Sequence, residues 1–250
     1  MAKPRFIELP GCEPIPILHE DRSVLAVDKP RGWMLVPVSW QKTARNLQAA
    51  INSSIAACDF WARSRGLRFL RYVHRLDADT SGVLLFAKSA GAVRTYSDLF
   101  ESRRMEKTYL AIVVGEPKET EWTCRLKLAP DARKIGRMKV DVCSGKVAET
   151  HFRVVDNIPK LTLVECRPVT GRTHQIRVHL AESGCPIVGD ELYGTQEGDL
   201  PLGLRAIRLA YVDPFTKKRV AIYAPAENFL KEFGFDRGTQ METSATFLES

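Results

Sequence analysis

The chain has 250 residues, 44% of them hydrophobic, so it can bury a core as one domain, with at most a small appendage. No apolar run approaches the roughly 18 residues that cross a bilayer. The first seventeen residues, MAKPRFIELPGCEPIPI, also lack the continuous apolar stretch of a secretion signal, so membrane and secreted classes are set aside and a cytoplasmic protein is expected. The formal charge of +7 and pI near 9.1 favour a polyanionic partner, because every phosphate neutralised by a cation releases counterions.

Residues 1 to about 20 are punctuated by proline and read as extended, an N-terminal extension covering 1–22. SVLAVDKPRG then predicts a strand from Ser23 to Val27 that closes in a Lys-Pro-x-Gly turn carrying Lys29 and Arg31. From Gln41 to about Arg65 the apolar residues Leu47, Ile51, Ile55 and Cys58 recur at helical spacing and predict one surface helix. LRFLRYVHRLD leads into VHRLDADTSG, Val73 to Gly82, and the apolar run GVLLFAKS follows as a buried strand. The motif is therefore expected in a loop between two strands.

Residues 90–102 read as an amphipathic helix, and KTYLAIVVG, Lys107 to Gly115, as a β-branched strand ended by glycine. Arg125 to Lys146 carries seven cations, Arg125, Lys127, Arg133, Lys134, Arg137, Lys139 and Lys146, against Asp131 and Asp141. This densest basic segment reads either as a solvated loop or as an arm that follows phosphates. ETHFRVVD and KLTLVECRPV are strands, and Thr173 as a start with Gly184 and Pro186 as stops bound about ten helical residues, Thr173 and Arg177 sharing a face. A catalytic unit over 23–237 and a flexible tail over 238–250 complete the division. The irregular order of strands and helices predicts an α+β fold.

The six cysteines, Cys12, Cys58, Cys124, Cys143, Cys166 and Cys185, lie far apart without C-x-x-C or zinc spacing, and read as reduced thiols. VHRLDADTSG itself admits several chemistries. A calcium loop would use Asp77, Asp79 and Ser81 with Gly82 at the bend, but its twelfth position, which needs a bidentate glutamate, is Lys88. A glycosidase needs two carboxylates roughly 5 to 10 Å apart, whereas Asp77 and Asp79 share one tight turn. Ser81 lies in T-S-G rather than G-x-S-x-G, no P-loop or G-x-G-x-x-G occurs, and His174 and His179 miss the spacing of a helical zinc pair. What remains is Asp77 behind Arg75, which locally reads as an aspartate capping a turn.

HRLDADTSG, KTYLA at Lys107 to Ala111 and TGRTHQIRVH at Thr170 to His179, together with VLAVDKPRGW and GCPIVGDELYG, resemble the RluA-type pseudouridine synthase family over roughly residues 23 to 225. With only about twenty residues ahead of the first core strand, the chain resembles the S4-less form, and the basic segment becomes the natural RNA anchor. The resemblance implies a mixed, mainly antiparallel sheet flanked by helices around a central RNA-binding cleft. It implies an RNA pseudouridine synthase acting on uridines in structured rRNA or tRNA, with no cofactor and no metal, monomer being the default.

By the same resemblance, Asp77 is the nucleophile, attacking C6 of the base or C1′ of the ribose; Arg177 is its cationic partner; Tyr109 stacks on the flipped base and receives the C5 proton. Arg75 is placed to enter the gap left by that base, and His74 to orient the loop. Arg172, Thr173, His174 and Gln175 crowd a helix start that suits phosphate or a base edge, and Lys134, Arg137 and Lys139 are the expected RNA contacts of the basic segment. Two other classes stay open: a catalytically silent RNA-binding or chaperone protein on the same fold, and an enzyme that removes the base without rejoining it.

Overall fold

The computed structural model describes residues 3–35, 45–194 and 200–235. The expected tail beyond residue 238 and the start of the helix expected from Gln41 lie outside them. In chain order the elements are β1 (Phe6–Ile7), β2 (Ile15–Glu20), β3 (Val24–Lys29), α1 (Leu47–Ala56), α2 (Phe60–Arg63), β4 (Arg71–Tyr72), β5 (Ser81–Ala87) and α3 (Ala90–Glu101). There follow β6 (Glu106–Val114), β7 (Glu121–Pro130), β8 (Met138–Val140), β9 (Lys146–Ile158), β10 (Leu161–Pro168), α4 (Gln175–Glu182), β11 (Leu204–Val212), β12 (Arg219–Tyr223) and α5 (Glu227–Glu232). The strands form one sheet in the order β1-β2-β3-β5-β11-β6-β10-β9-β7-β8, with β12 beside β11 and β4 beside β5. Every pairing among these strands is antiparallel except β5 with β11, so the α+β expectation of a mixed, mainly antiparallel sheet holds. Residues 6–20, read as an extension, add β1 and β2 to one edge.

Strands covered on both faces lose the polar alternation of a half-exposed sheet, and β5, buried along its whole length, shows why GVLLFAKS reads as an unbroken apolar run. Alternate residues serve opposite sides. Leu25, Val27, Leu84 and Phe86 pack on α1 and α2 through Leu47, Ile51 and Trp61. Val24, Ala26, Val83 and Leu85 pack on α3 through Ala92, Tyr96 and Leu99. In β6 the same period sends Ala111 and Val113 to α4, and Leu110 and Ile112 to Phe229, Leu230 and Phe233 around α5.

Three expectations change. The helix expected to run unbroken to Arg65 divides at Cys58, whose φ of 57° is left-handed. Ser54 there donates to Asp59 and accepts from the Trp61 indole at 2.8 Å, so the break is locked by buried polar contacts that periodicity does not register. The basic segment is a β-hairpin of β7 and β8, its turn closed by the Asp131 N–H to the Arg137 carbonyl at 2.8 Å. The last predicted helix starts at Gln175 rather than Thr173, because His174 has φ 54° and supplies no side-chain cap. It spans eight residues and ends as expected, at Gly184 with φ 78°.

Gly82, the last residue of VHRLDADTSG, has φ 112°, and a Cβ there would lie 2.0 Å from the Ala206 carbonyl oxygen. Only glycine lets β5 approach β11 at this seam, directly behind the loop that carries Asp77.

Candidate active site

The loop between β4 and β5, the middle of β6, the end of β10 and the start of α4 surround a cavity of about 500 Å³. Asp77 and Tyr109 reach it from the loop and from β6, and Arg177 from α4; Arg75, Arg103, Lys107 and Arg172 add cations, against only Asp77 and Glu101 as acids. A cleft lined with this imbalance of charge draws in a polyanion.

Arg177 lies 100 residues from Asp77 in sequence, yet its Nη1 is 3.4 Å from Asp77 Oδ2. The guanidinium is shared. Its Nε and Nη2 donate to Asp190 Oδ2 and Oδ1 at 2.8 and 2.7 Å, a bidentate pair that anchors it. Asp190 also accepts the Leu192 and Tyr193 N–H groups at 3.0 and 3.1 Å, and its side chain is 0% exposed, against 23% for Asp77. Asp190 is therefore saturated by protein, and Asp77 is the carboxylate with lone pairs left to face a substrate. The bond to Asp190, the larger of the opposite charges around it, holds the Arg177 pKa above its ordinary value despite burial.

The loop is held from below by Lys29, at the end of β3 and fully buried. Its ammonium donates to the carbonyls of Pro30, Ala78 and Thr80 at 3.0, 2.7 and 2.9 Å, and the Gly32 N–H adds a 2.9 Å bond to Ala78. Burial lowers the Lys29 pKa to about 8, opposed by the charges of Asp79 and Asp77. His74 braces the other side: its Nε2 accepts the Leu85 N–H at 3.0 Å and its ring stacks on Phe100 with centroids 4.5 Å apart. Burial, helped by the charge of Lys107, lowers the His74 pKa to about 3, so the ring is a neutral acceptor carrying its proton on Nδ1.

Tyr109 borders the cavity, and burial, then the charge of Asp77, raises its pKa well above the ordinary tyrosine value. It enters any reaction as a neutral phenol. Lys107, two residues earlier, donates to the Thr170 carbonyl at 2.9 Å, and burial, then the charge of Arg103, lowers its pKa to about 8.

The remaining expected residues separate. Arg75 and Thr173 are exposed at the cavity wall, and Arg172 donates from Nε to the Val147 carbonyl at 3.2 Å. His174 Nε2 lies 3.8 Å from Asp77 Oδ2. Gln175 borders the cavity, but its amide is consumed by protein: Oε1 accepts from Thr170 and the Arg172 N–H at 2.6 and 3.0 Å, and Nε2 donates to the Glu149 carbonyl and Thr150 at 2.9 Å each. That side chain braces the start of α4 instead of presenting a free group. Lys134 and Lys139 are exposed on the hairpin, Lys139 within 3.6 Å of Asp141. Arg137 packs inward, its guanidinium 5.3 Å from the Tyr193 ring centroid.

Asp190, Tyr193 and Lys29 are the site residues that sequence reasoning left without a role. Asp190 and Tyr193 lie inside GCPIVGDELYG, but their geometry depends on the bend at Gly189, φ 68°, which no spacing rule connects to Arg177. Among the described residues, no group of three or more His, Cys, Asp or Glu is placed to hold a metal ion.

Known proteins resemble this chain in sequence and in fold. The family model described as RNA pseudouridylate synthase matches residues 23–182. Ribosomal large subunit pseudouridine synthase C of Salmonella typhimurium is 37% identical over 226 residues, covering 86% of this chain and 67% of the relative. Its counterpart in Escherichia coli strain K12 is 36% identical with the same coverage, so the chain spans about two thirds of the length of these relatives. Among solved structures, Human RNA Pseudouridylate Synthase Domain Containing 1 aligns with a TM-score of 0.65 at 27% identity, covering 84% of this chain and 83% of that one. Human RNA Pseudouridylate Synthase Domain Containing 4 shares the fold with a TM-score of 0.70 at 23% identity, over 88% and 92% of the two chains. The chain belongs to the RNA pseudouridylate synthase family, whose members isomerise uridine in RNA.

Proposed function

We propose that this chain converts uridine to pseudouridine in large-subunit ribosomal RNA, with Asp77 as the nucleophile. The observation that carries the reading is the meeting of Asp77 and Arg177 across 100 residues, in a cavity that Tyr109 also lines. Asp77, the more accessible of the two carboxylates that share Arg177, attacks C6 of the base or C1′ of the ribose. The bond between N1 and C1′ breaks, the uracil turns in the cavity, C5 bonds to C1′, the bond from Asp77 to C6 or C1′ breaks to restore the carboxylate, and the C5 proton leaves as N1 takes one up. Substrate and product have the same atoms, so no oxidant, reductant or second substrate enters the balance.

The remaining residues have roles that their chemistry supports. Arg177 offsets the charge of a half-buried carboxylate and is kept in place by Asp190. Tyr109, a neutral phenol, stacks on the base and takes the C5 proton only as it passes its own to an acceptor such as Asp77. Arg75, exposed beside the loop, is placed to fill the gap left by the extruded base, and Arg172, Thr173 and His174 to meet its edge or its phosphate. Lys134 and Lys139 offer the exposed charges of the hairpin to the RNA backbone. The ribosomal substrate is suggested by the names of the relatives.

Pseudouridine mapping of ribosomal RNA from cells with and without the gene tests the reading. Loss of carbodiimide-dependent reverse-transcription stops at one or a few large-subunit positions is expected; an unchanged stop pattern contradicts it.

A further inference from the structure

We infer that Tyr193 is a positioning residue that couples seating of the β7–β8 hairpin on RNA to the alignment of His174 and Arg177 around Asp77. The inference rests on the proposed function and adds to it a route from RNA grip to chemistry.

Tyr193 touches both parts. Its hydroxyl oxygen accepts the N–H of Met138, the first residue of β8, at 2.7 Å and is 2.9 Å from His174 Nδ1. Its ring lies 5.3 Å from the guanidinium of Arg137 on the hairpin and 5.3 Å from that of Arg177. Its own N–H is held by Asp190, which also anchors Arg177 at 2.7 and 2.8 Å.

The hydrogen-bond roles follow from the inventory of each group. A phenol has one proton to give, and here its oxygen already accepts from Met138, so the proton is free to go to His174 Nδ1. Neutral His174 then carries its proton on Nε2, the nitrogen 3.8 Å from Asp77 Oδ2. His174 is also left-handed at φ 54°, a conformation uncommon outside glycine, and the Tyr193 contact helps to hold its ring there. The hairpin, which also packs on α4 where Leu126, Leu128, Met138 and Val140 meet Val178, is linked through Tyr193 to both neighbours of the nucleophile.

The test is single-turnover kinetics on a transcript of the ribosomal RNA segment found by mapping, with RNA affinity measured separately. Tyr193→Phe keeps the ring and removes the hydroxyl. Its rate at saturating RNA should fall about tenfold, the scale of one lost orienting hydrogen bond, with Kd within about twofold of wild type. Combined with Arg137→Ala, it should lower the saturated rate no further than the more damaging single substitution. An unchanged saturated rate, a loss confined to Kd, or losses that simply multiply would each overturn the coupling. Should Tyr193→Phe fail to fold, Arg137→Ala alone decides, since a lower saturated rate supports the coupling and a change in Kd alone overturns it. A wild-type chain that makes no product overturns the proposed function itself, and is read before any variant.

Discussion

Lys29 shows how much one side chain contributes to the nucleophile's position. Burying an ammonium group costs several kcal/mol, and this one is tolerated because three carbonyls, from Pro30, Ala78 and Thr80, take its protons. Two of those carbonyls belong to the segment immediately after Asp77, so the cation fixes the loop's height above the sheet. At neutral pH a pKa of about 8 leaves it mostly charged, with Asp79 and Asp77 opposing the desolvation. Lys29→Met keeps the stem and removes the three donors. The expected result is a loss of roughly 1–3 kcal/mol in urea unfolding, from carbonyls left short of partners, with a fall in product formation larger than the fraction unfolded accounts for. Full activity with unchanged stability would show that the loop stands without the lysine.

Among the elements, the β7–β8 hairpin bears most directly on substrate grip. Several of its cations are engaged with the protein: Arg125 pairs with Glu149 at 2.7 Å, Lys127 donates to the Val142 carbonyl at 3.1 Å, and Arg137 packs on Tyr193. Arg133 and Lys134 are exposed on its turn, with Lys139 beside them on β8. Alanine at Arg133, Lys134 and Lys139 should weaken RNA binding and flatten the slope of log K against log salt by about 0.7 for each phosphate that is no longer neutralised. An unchanged slope would mean that the hairpin is only solvated. The first strand of the hairpin is written in the alternation of Trp122, Cys124, Leu126 and Leu128 with Glu121, Thr123, Arg125 and Lys127, but its cations read equally as a solvated arm, whereas the apolar runs of β5 and β6 admit only a strand. The division of the first long helix was hidden, since it rests on Ser54, Asp59 and Trp61 meeting at Cys58.

At the scale of the whole molecule, the site exists only because the sheet order brings distant segments together. Asp77 precedes β5, Tyr109 lies on β6 and Arg177 on α4; β11 lies between β5 and β6, and Gly82 permits the close seam with β11. Local pattern read Asp77 as turn chemistry, and only the order of the motifs along the chain singled out Asp77, Tyr109 and Arg177. Asp190, Tyr193 and Lys29 stayed unread because their roles arise from packing: a bidentate anchor, a bridge to a hairpin, and a cation under a loop. The central claim is that Asp77 reacts while the rest of the cavity binds and orients. It is tested most directly with Asp77→Asn, which keeps size and shape, by comparing pseudouridine formed in single turnover with RNA affinity. Product should fall by about a thousandfold or more, as for a lost nucleophile, with Kd within about threefold of wild type; substantial product from the asparagine variant would contradict the account.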